Sequence, residues 1–209
     1  MKLSSQSIRD NQPIPGEFAF CVPNDKNHVC LGKNLSPQLS WTEAPAGTKS
    51  FAVFCVDVDV PSVGDNVNVE GREVDKDLPR VDFFHWVLVD LPADTHALAA
   101  GQFSSEVTPC GKAGPGAPLG SRQGINDYTA WFAGDADMRG DYYGYDGPCP
   151  PWNDLRLHRY VFTVYALDVA RMDLTGKFTG PEALVAMQGH ILAQASMTGT
   201  YTLNASLRS

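Results

Sequence analysis

The sequence lacks any apolar run long enough to cross a membrane. A spanning helix needs about 20 apolar residues, and the longest runs here, Phe51–Val56 and Tyr160–Leu167, are strand-sized. Positive charge is also short: 16 Lys and Arg against 24 Asp and Glu leave a formal net charge of −8. Nucleic-acid affinity depends on basic side chains neutralising phosphates, so that partner is excluded. No basic segment suits docking to an anionic membrane, although a local anion pocket needs only two or three donors. The first 18 residues have neither the apolar centre nor the small-residue cleavage site of a secretory leader. The expectation is a cytoplasmic protein with no membrane insertion.

Familiar catalytic loops are missing too. There is no phosphate-cradling G-x-x-x-x-G-K-[ST] loop and no G-x-G-x-x-G turn, so no nucleotide cofactor is expected. There is no G-x-S-x-G elbow to present a serine nucleophile. Cysteine is sparse and unpatterned: the five residues, at 21, 30, 55, 110 and 149, form no C-x-x-C pair and are odd in number. They read as reduced thiols, with a Cys21–Cys30 disulfide as the alternative. Cys149 is near His158 in sequence, but the flanking prolines indicate a rigid loop rather than a thiol nucleophile.

What is present is punctuation. Nineteen Gly and 15 Pro are spread along 209 residues and divide short apolar runs, which favours a β-rich fold over a helix bundle. The length suits one domain, residues 1–209, which can bury roughly 70% of its unfolded surface without a metal or disulfide staple. The spacing predicts strands over Glu17–Val22, Ser50–Pro61, Phe83–Pro92, His158–Asp168 and Met197–Leu203, and a helix over Gly180–Ser196. Residues 1–16 read as an edge segment, 62–80 as a charged surface loop, and 101–157 as a long irregular stretch of the kind that is often functional.

Side chains alternate along a strand, so Asp57 and Asp59 share a face, as do Phe83 and His85, and His158 and Tyr160. If the three strands are neighbours, their ends form one small polar pocket. Each residue also has a plainer reading. An Asp at a strand end caps turns, and a His among aromatics is commonly a satisfied core residue. Arg159 points the other way and is expected to pair with an acid. His28 and His96 read as surface residues, and His190 as a packing residue of the late helix. Asp57, Asp59, His85 and His158 are suitable ligand types for a divalent ion, but they lack the close spacing of a zinc motif. No metal is expected. Gly144 and Gly147 leave backbone amides open near His158, where they could hold an anion.

Three motifs, in order and across nearly the whole chain, resemble the phosphatidylethanolamine-binding protein family, specifically its bacterial Raf-kinase-inhibitor-like branch. They are NLSPQLSWTEAPAGTKSFAVFCVDVDVP, FHWVLVDLPADT and GYDGPCPPWNDLRLHRYVFTVYALD. The resemblance implies a mostly β fold: a large antiparallel sheet packed against a smaller sheet, with peripheral helices. It also implies an anion pocket for phosphate-type headgroups at Asp57, Asp59, Pro61, Phe83, His85, Gly147, Pro148, His158 and Tyr160. A homodimer and regulation of a partner kinase or protease are further implications. Val58 and Val60 depart from the family's Asp-Pro-Asp-Ala-Pro motif. The segments Ser62–Asp82 and Thr129–Gly147, and the stretch before His158, are longer than in compact members and could cover the pocket. The reading is a small-anion binding module with no catalytic residue. The alternatives are a hydrolase using the Asp/His cluster, with or without metal, and a scaffold with a vestigial pocket. In the binding reading Asp57 raises the pKa of a histidine, and affinity tightens as pH falls through the histidine range.

Overall fold

The structure is a computed structural model that describes residues 1–208. Eleven strands occur among them: β1 (Lys2–Ser4), β2 (Gln12–Pro13), β3 (Cys21–Asn24), β4 (His28–Leu31), β5 (Leu39–Thr42), β6 (Ser50–Pro61), β7 (Arg80–Pro92), β8 (Ala97–Leu98), β9 (Arg122–Gln123), β10 (His158–Leu167) and β11 (Ile191–Tyr201). Two α-helices join them, α1 (Tyr128–Trp131) and α2 (Gly180–Met187). The large sheet runs β2-β11-β10-β6-β7-β9. It is antiparallel except where the two-residue edge strand β2 pairs parallel with β11. A smaller sheet, β1-β5-β8, and the β3-β4 hairpin complete the β structure.

The strand β6 is apolar on both faces because the large sheet is covered on both. Phe51, Val53 and Cys55 face Trp41, Leu39 and Leu98 of the smaller sheet. Ala52 and Phe54 face the other way, toward Ala183 and Met187 of α2. The helix begins with a capping box, in which Thr179 and Glu182 satisfy each other's exposed backbone and side-chain groups, and Pro181 sits in its first turn.

The helix ends earlier than its sequence pattern predicts. Gly189 takes a φ of +81°, and the chain turns there. Residues from Ile191 onward instead pair with β10, Leu167 opposite Ile191 and Thr163 opposite Ser196. Ladder hydrogen bonds to a neighbouring strand outweigh the helical spacing of Ile191 and Ala195, which is a weak preference. His190 accordingly lies in the turn, with Nδ1 2.8 Å from Asp168. The first predicted strand is also displaced, with a short 3-10 turn at Gly16–Phe18 and the strand at Cys21–Asn24.

The cysteines differ from expectation. Cys21 and Cys149 form a disulfide, and Cys30, Cys55 and Cys110 are free. The sequence offered no spacing signal because the partners are 128 residues apart. The Cys21–Cys30 alternative fails because these residues are not opposite each other in the hairpin: Cys21 faces Leu31 and Cys30 faces Val22. A disulfide persists where the surroundings are oxidising, so the expected cytoplasmic location loses the support it drew from reduced thiols.

Candidate functional site

The three predicted strand ends are adjacent. Strand β10 pairs with β6, Tyr160 opposite Asp57, and β6 pairs with β7, Asp57 opposite Phe83. His85 is placed by a bulge: Cys55 pairs with Trp86 and Val56 with Phe84, so the ladder skips His85. Such an extra residue re-aims side chains. Here it turns the imidazole to the same side as the indole of Trp86. The rest of position 85 is fixed by Asp146, whose amide donates to the His85 carbonyl at 3.0 Å. The ring Nδ1 lies 2.7 Å from the Asp146 carbonyl oxygen.

These ends open on one cavity of about 300 Å³. Asp57, Pro61, Phe83, His85, His158 and Tyr160 line it. The remaining walls are largely apolar. Phe20 and Leu31 come from the N-terminal hairpin region, and Tyr128, Trp131, Phe132 and Met138 from the segment around α1. Val67 and Asn68 come from the long loop before β7. The long segments 62–82 and 129–147 therefore wall the cavity rather than lie away from it. The first is tied to the stretch before His158: Asn153 donates to the carbonyls of Asn66 and Arg72 and accepts from the Asn68 amide, at 2.8, 3.0 and 3.0 Å.

The three other candidate residues do not line the cavity. Asp59 is buried and turned to two arginines, with Arg159 Nε at 2.8 Å and Arg156 Nε at 2.7 Å. These guanidiniums hold its carboxyl below the usual range although burial, the largest influence, opposes them. This is the acid partner expected for Arg159. Gly147 and Pro148 lie behind the wall. The Gly147 amide donates to Asn34 Oδ1 at 2.7 Å, and its carbonyl accepts from the Tyr128 hydroxyl at 2.8 Å. A Cβ at Gly147 would fall 2.0 Å from the Phe18 carbonyl oxygen. Gly147→Ala is therefore expected to cost about 1–3 kcal/mol through overpacking. Urea unfolding checks this, and a change below about 0.5 kcal/mol, the scale of neutral surface substitutions, would contradict it.

The two histidines have different electrostatics. His158 is buried, with Nδ1 2.7 Å from Asp57 Oδ2 and Nε2 3.0 Å from Asp154 Oδ2. Burial alone would lower its pKa, but the two carboxylates prevail and raise it to about 9. His158 is thus an imidazolium at neutral pH with both nitrogens engaged. Asp154 continues the chain of charges to Arg80, which holds it through two bonds of 2.5 and 3.0 Å. Arg80 also donates to the carbonyls of Asp59, Leu78 and Asp75, at 2.9, 3.1 and 2.7 Å, so this buried network anchors the long loop. His85 is the opposite case: burial pushes its pKa down, against the pull of Asp57 and of the Asp146 and Gly147 carbonyls.

The cavity floor contains one buried polar atom without a partner. Among the described residues, Tyr160 Oη makes no hydrogen bond of normal geometry. Burial raises its pKa far above the ordinary phenol, and so does the Asp57 carboxylate, by its charge and as a nearby acceptor out of line for a normal bond, so it is a neutral hydroxyl. An unsatisfied buried hydroxyl costs roughly 1–3 kcal/mol, and a ligand oxygen would satisfy it. Behind this floor, Asp146 accepts from Lys112, Asn34 and Asn126 at 2.8, 2.7 and 2.7 Å. Burial pushes the Asp146 carboxyl up and the Lys112 ammonium down, against their attraction. Of the suggested metal ligands, Asp59 turns away to Arg156 and Arg159, and both ring nitrogens of His158 are taken by carboxylates. Among the described residues no three His, Cys, Asp or Glu side chains are grouped as a metal requires.

Sequence reasoning did not single out Asp154, Arg80, Asp146 or Tyr128. Asp154 lies four residues before His158, but in a loop where that spacing has no fixed geometry. Nothing local connects Arg80 to Asp154 across 74 positions.

Comparisons with known proteins agree with this architecture. The family model described as phosphatidylethanolamine-binding protein matches residues 4–202. The chain is 34% identical to the UPF0098 protein YbhB of Escherichia coli (strain K12), over 97% of this chain and 100% of that one. It is 32% identical to a UPF0098 protein of Methanothermobacter thermautotrophicus, over 96% and 98%. Among solved structures, it resembles E. coli YbcL, described as a new member of the mammalian PEBP family. The TM-score is 0.68 at 25% identity, covering 96% of this chain and 97% of that one.

Proposed function

The chain belongs to the phosphatidylethanolamine-binding protein family, and from that premise we propose that it binds a small amphiphilic anion, its phosphate-type head on the cavity floor and its apolar part against the aromatic walls. The observation that carries this reading is the unpartnered Tyr160 hydroxyl beside His85, at the base of a cavity otherwise lined mainly by carbon. A hydroxyl and an imidazole can bond to oxyanion oxygens. The walls favour a ligand with an apolar tail over inorganic phosphate. His158 does not bond the ligand in this reading. Its two carboxylates occupy the ring, and its charge offsets that of Asp57.

Titration with phenyl phosphate and with inorganic phosphate, followed by NMR, tests the proposal. Burying a phenyl ring is worth roughly 2–3 kcal/mol, so phenyl phosphate should bind about 30- to 150-fold more tightly. Tyr160→Phe, which removes only the hydroxyl, should weaken it about 10-fold or more, the value of a hydrogen bond to a charged group. Equal affinity for the two ligands, or an unchanged affinity in Tyr160→Phe, would count against this placement. Release of phosphate during the titration would instead support the hydrolase alternative, with His85 as the available base.

A further inference from the structure

We propose that the cavity selects an oxyanion that still carries a proton, so that it takes a phosphate monoester in its singly protonated form and rejects a sulfate ester of the same shape and charge. This rests on the reading of the cavity as an oxyanion site and specifies the ligand class.

The argument begins with a tautomer. His85 Nδ1 lies 2.7 Å from a backbone carbonyl, that of Asp146. A carbonyl oxygen only accepts, so Nδ1 carries the hydrogen. In the neutral ring Nε2 is then a bare lone pair, with no hydrogen-bond partner among the described residues. His85 lines the cavity. What it offers a ligand is an acceptor.

The rest of the floor supplies one donor, the buried Tyr160 hydroxyl. His158 supplies none, because Asp57 and Asp154 occupy its two nitrogens. No lysine or arginine lines the cavity, and its two charged side chains, Asp57 and His158, are paired with each other. The groups that face His85 give no further cation. They are Asp57 from β6, His158 and Tyr160 from β10, Tyr128 from α1, and the backbone of Asp146 and Gly147. Burial among them keeps the imidazole neutral.

A floor with one donor, and with acceptors at His85 Nε2 and the Asp57 carboxylate, matches an oxyanion with one accepting oxygen and one O–H. The monoanion of a phosphate monoester has both: its O–H donates to His85 Nε2 while another oxygen accepts from Tyr160. A sulfate ester has the same tetrahedral shape and the same single charge, but only lone pairs. Its oxygen would face the lone pair of Nε2, and lone pairs in contact inside a dry cavity are costly. Fully ionised phosphate fails for the same reason and adds a second unpaired charge.

Phenyl phosphate and phenyl sulfate form the test pair, titrated calorimetrically into the intact protein between pH 6 and 8. At pH 6.5 the phosphate ester is expected to bind at least 10-fold more tightly than the sulfate ester. A phosphate monoester loses its second proton near pH 6, so its apparent affinity should fall up to 10-fold per pH unit above that. In buffers of different ionisation enthalpy, binding at pH 7.5 should take up close to one proton. In His85→Gln, whose amide presents a donor as readily as an acceptor, the phosphate-to-sulfate ratio should collapse toward one. Equal binding of the two esters by the wild-type protein, with no proton uptake, overturns the proposal while leaving the oxyanion site standing. Binding of neither ester at millimolar concentration overturns the site and the proposal together. If His85→Gln does not fold, the wild-type ratio and pH profile still decide the question.

Discussion

Asp154→Ala should destabilise the protein by about 3–5 kcal/mol, the cost of removing one partner from a buried ionic network. The change leaves the Arg80 guanidinium and the His158 imidazolium buried without the carboxylate they share. Chemical unfolding in urea measures the loss, and a value below about 1 kcal/mol, that of an exposed pair, would show that the network is strained rather than supportive. A pH dependence accompanies it. The folded-state pKa of His158 is raised to about 9, above the ordinary imidazole value of about 6.5. The stabilisation is therefore complete below about pH 6.5, where both states bind the proton. It is lost as pH rises through about 9, where the unfolded chain has already released its proton. The loss should be on the order of 3 kcal/mol, at about 1.4 kcal/mol per unit. In Asp57→Asn the decline should be smaller and end at lower pH, because one of the two carboxylates holding the proton has gone. A wild-type stability that is level from pH 6.5 to 9.5 would refute the charged His158.

The second large effect concerns the disulfide. Cys21 and Cys149 are 128 residues apart in sequence, so the bond constrains a long stretch of the unfolded chain. The chain-entropy relation assigns such a loop up to about 5 kcal/mol. The expected result is that the double variant Cys21→Ser, Cys149→Ser, or the wild-type protein in excess reductant, unfolds at much lower urea than the oxidised protein. Both sulfur-bearing residues line the cavity, so ligand affinity should fall along with stability. Coincident unfolding curves with and without reductant would exclude a stabilising bond.

Much of this was legible in the residues and some was not, for physical reasons. The two-faced apolar run of β6 marked a central strand, and the structure places it between β10 and β7. The alternation rule put Phe83 and His85 on one face of their strand and His158 and Tyr160 on one face of theirs. The meeting of the three strand ends comes from the pairing of β6 with β7 and β10. The same rule put Asp59 on the Asp57 face. A register shift between Asp57 and Val60 alters the local geometry, and Asp59 pairs instead with Arg156 and Arg159. Bulges depend on what the neighbouring strand and loop supply, which no local pattern records. The helical spacing runs on past Gly189, but a positive φ there turns the chain, and the helix stops at Met187. The sequence also suggested one histidine chemistry for two histidines. Their divergence depends on Asp154 for one and on the Asp146 carbonyl for the other, and both contacts come from the long irregular stretch whose path the sequence does not specify.

The bulge at His85 has a consequence for how this fold can change. The ladder with β6 passes over position 85, and the backbone there is held by Asp146 instead. The position works as a socket: side chains can be exchanged in it without disturbing strand register. Deleting the residue is a different operation. It would restore simple alternation between β6 and β7, with Val56 still opposite Phe84 and Asp57 still opposite Phe83, and it would remove the imidazole from the cavity together with the backbone anchor to Asp146. Ligand chemistry at this site is therefore separable from strand register: a library that varies residue 85 and one that removes it should both keep the pairing of β6 with β7, and only the second empties the socket.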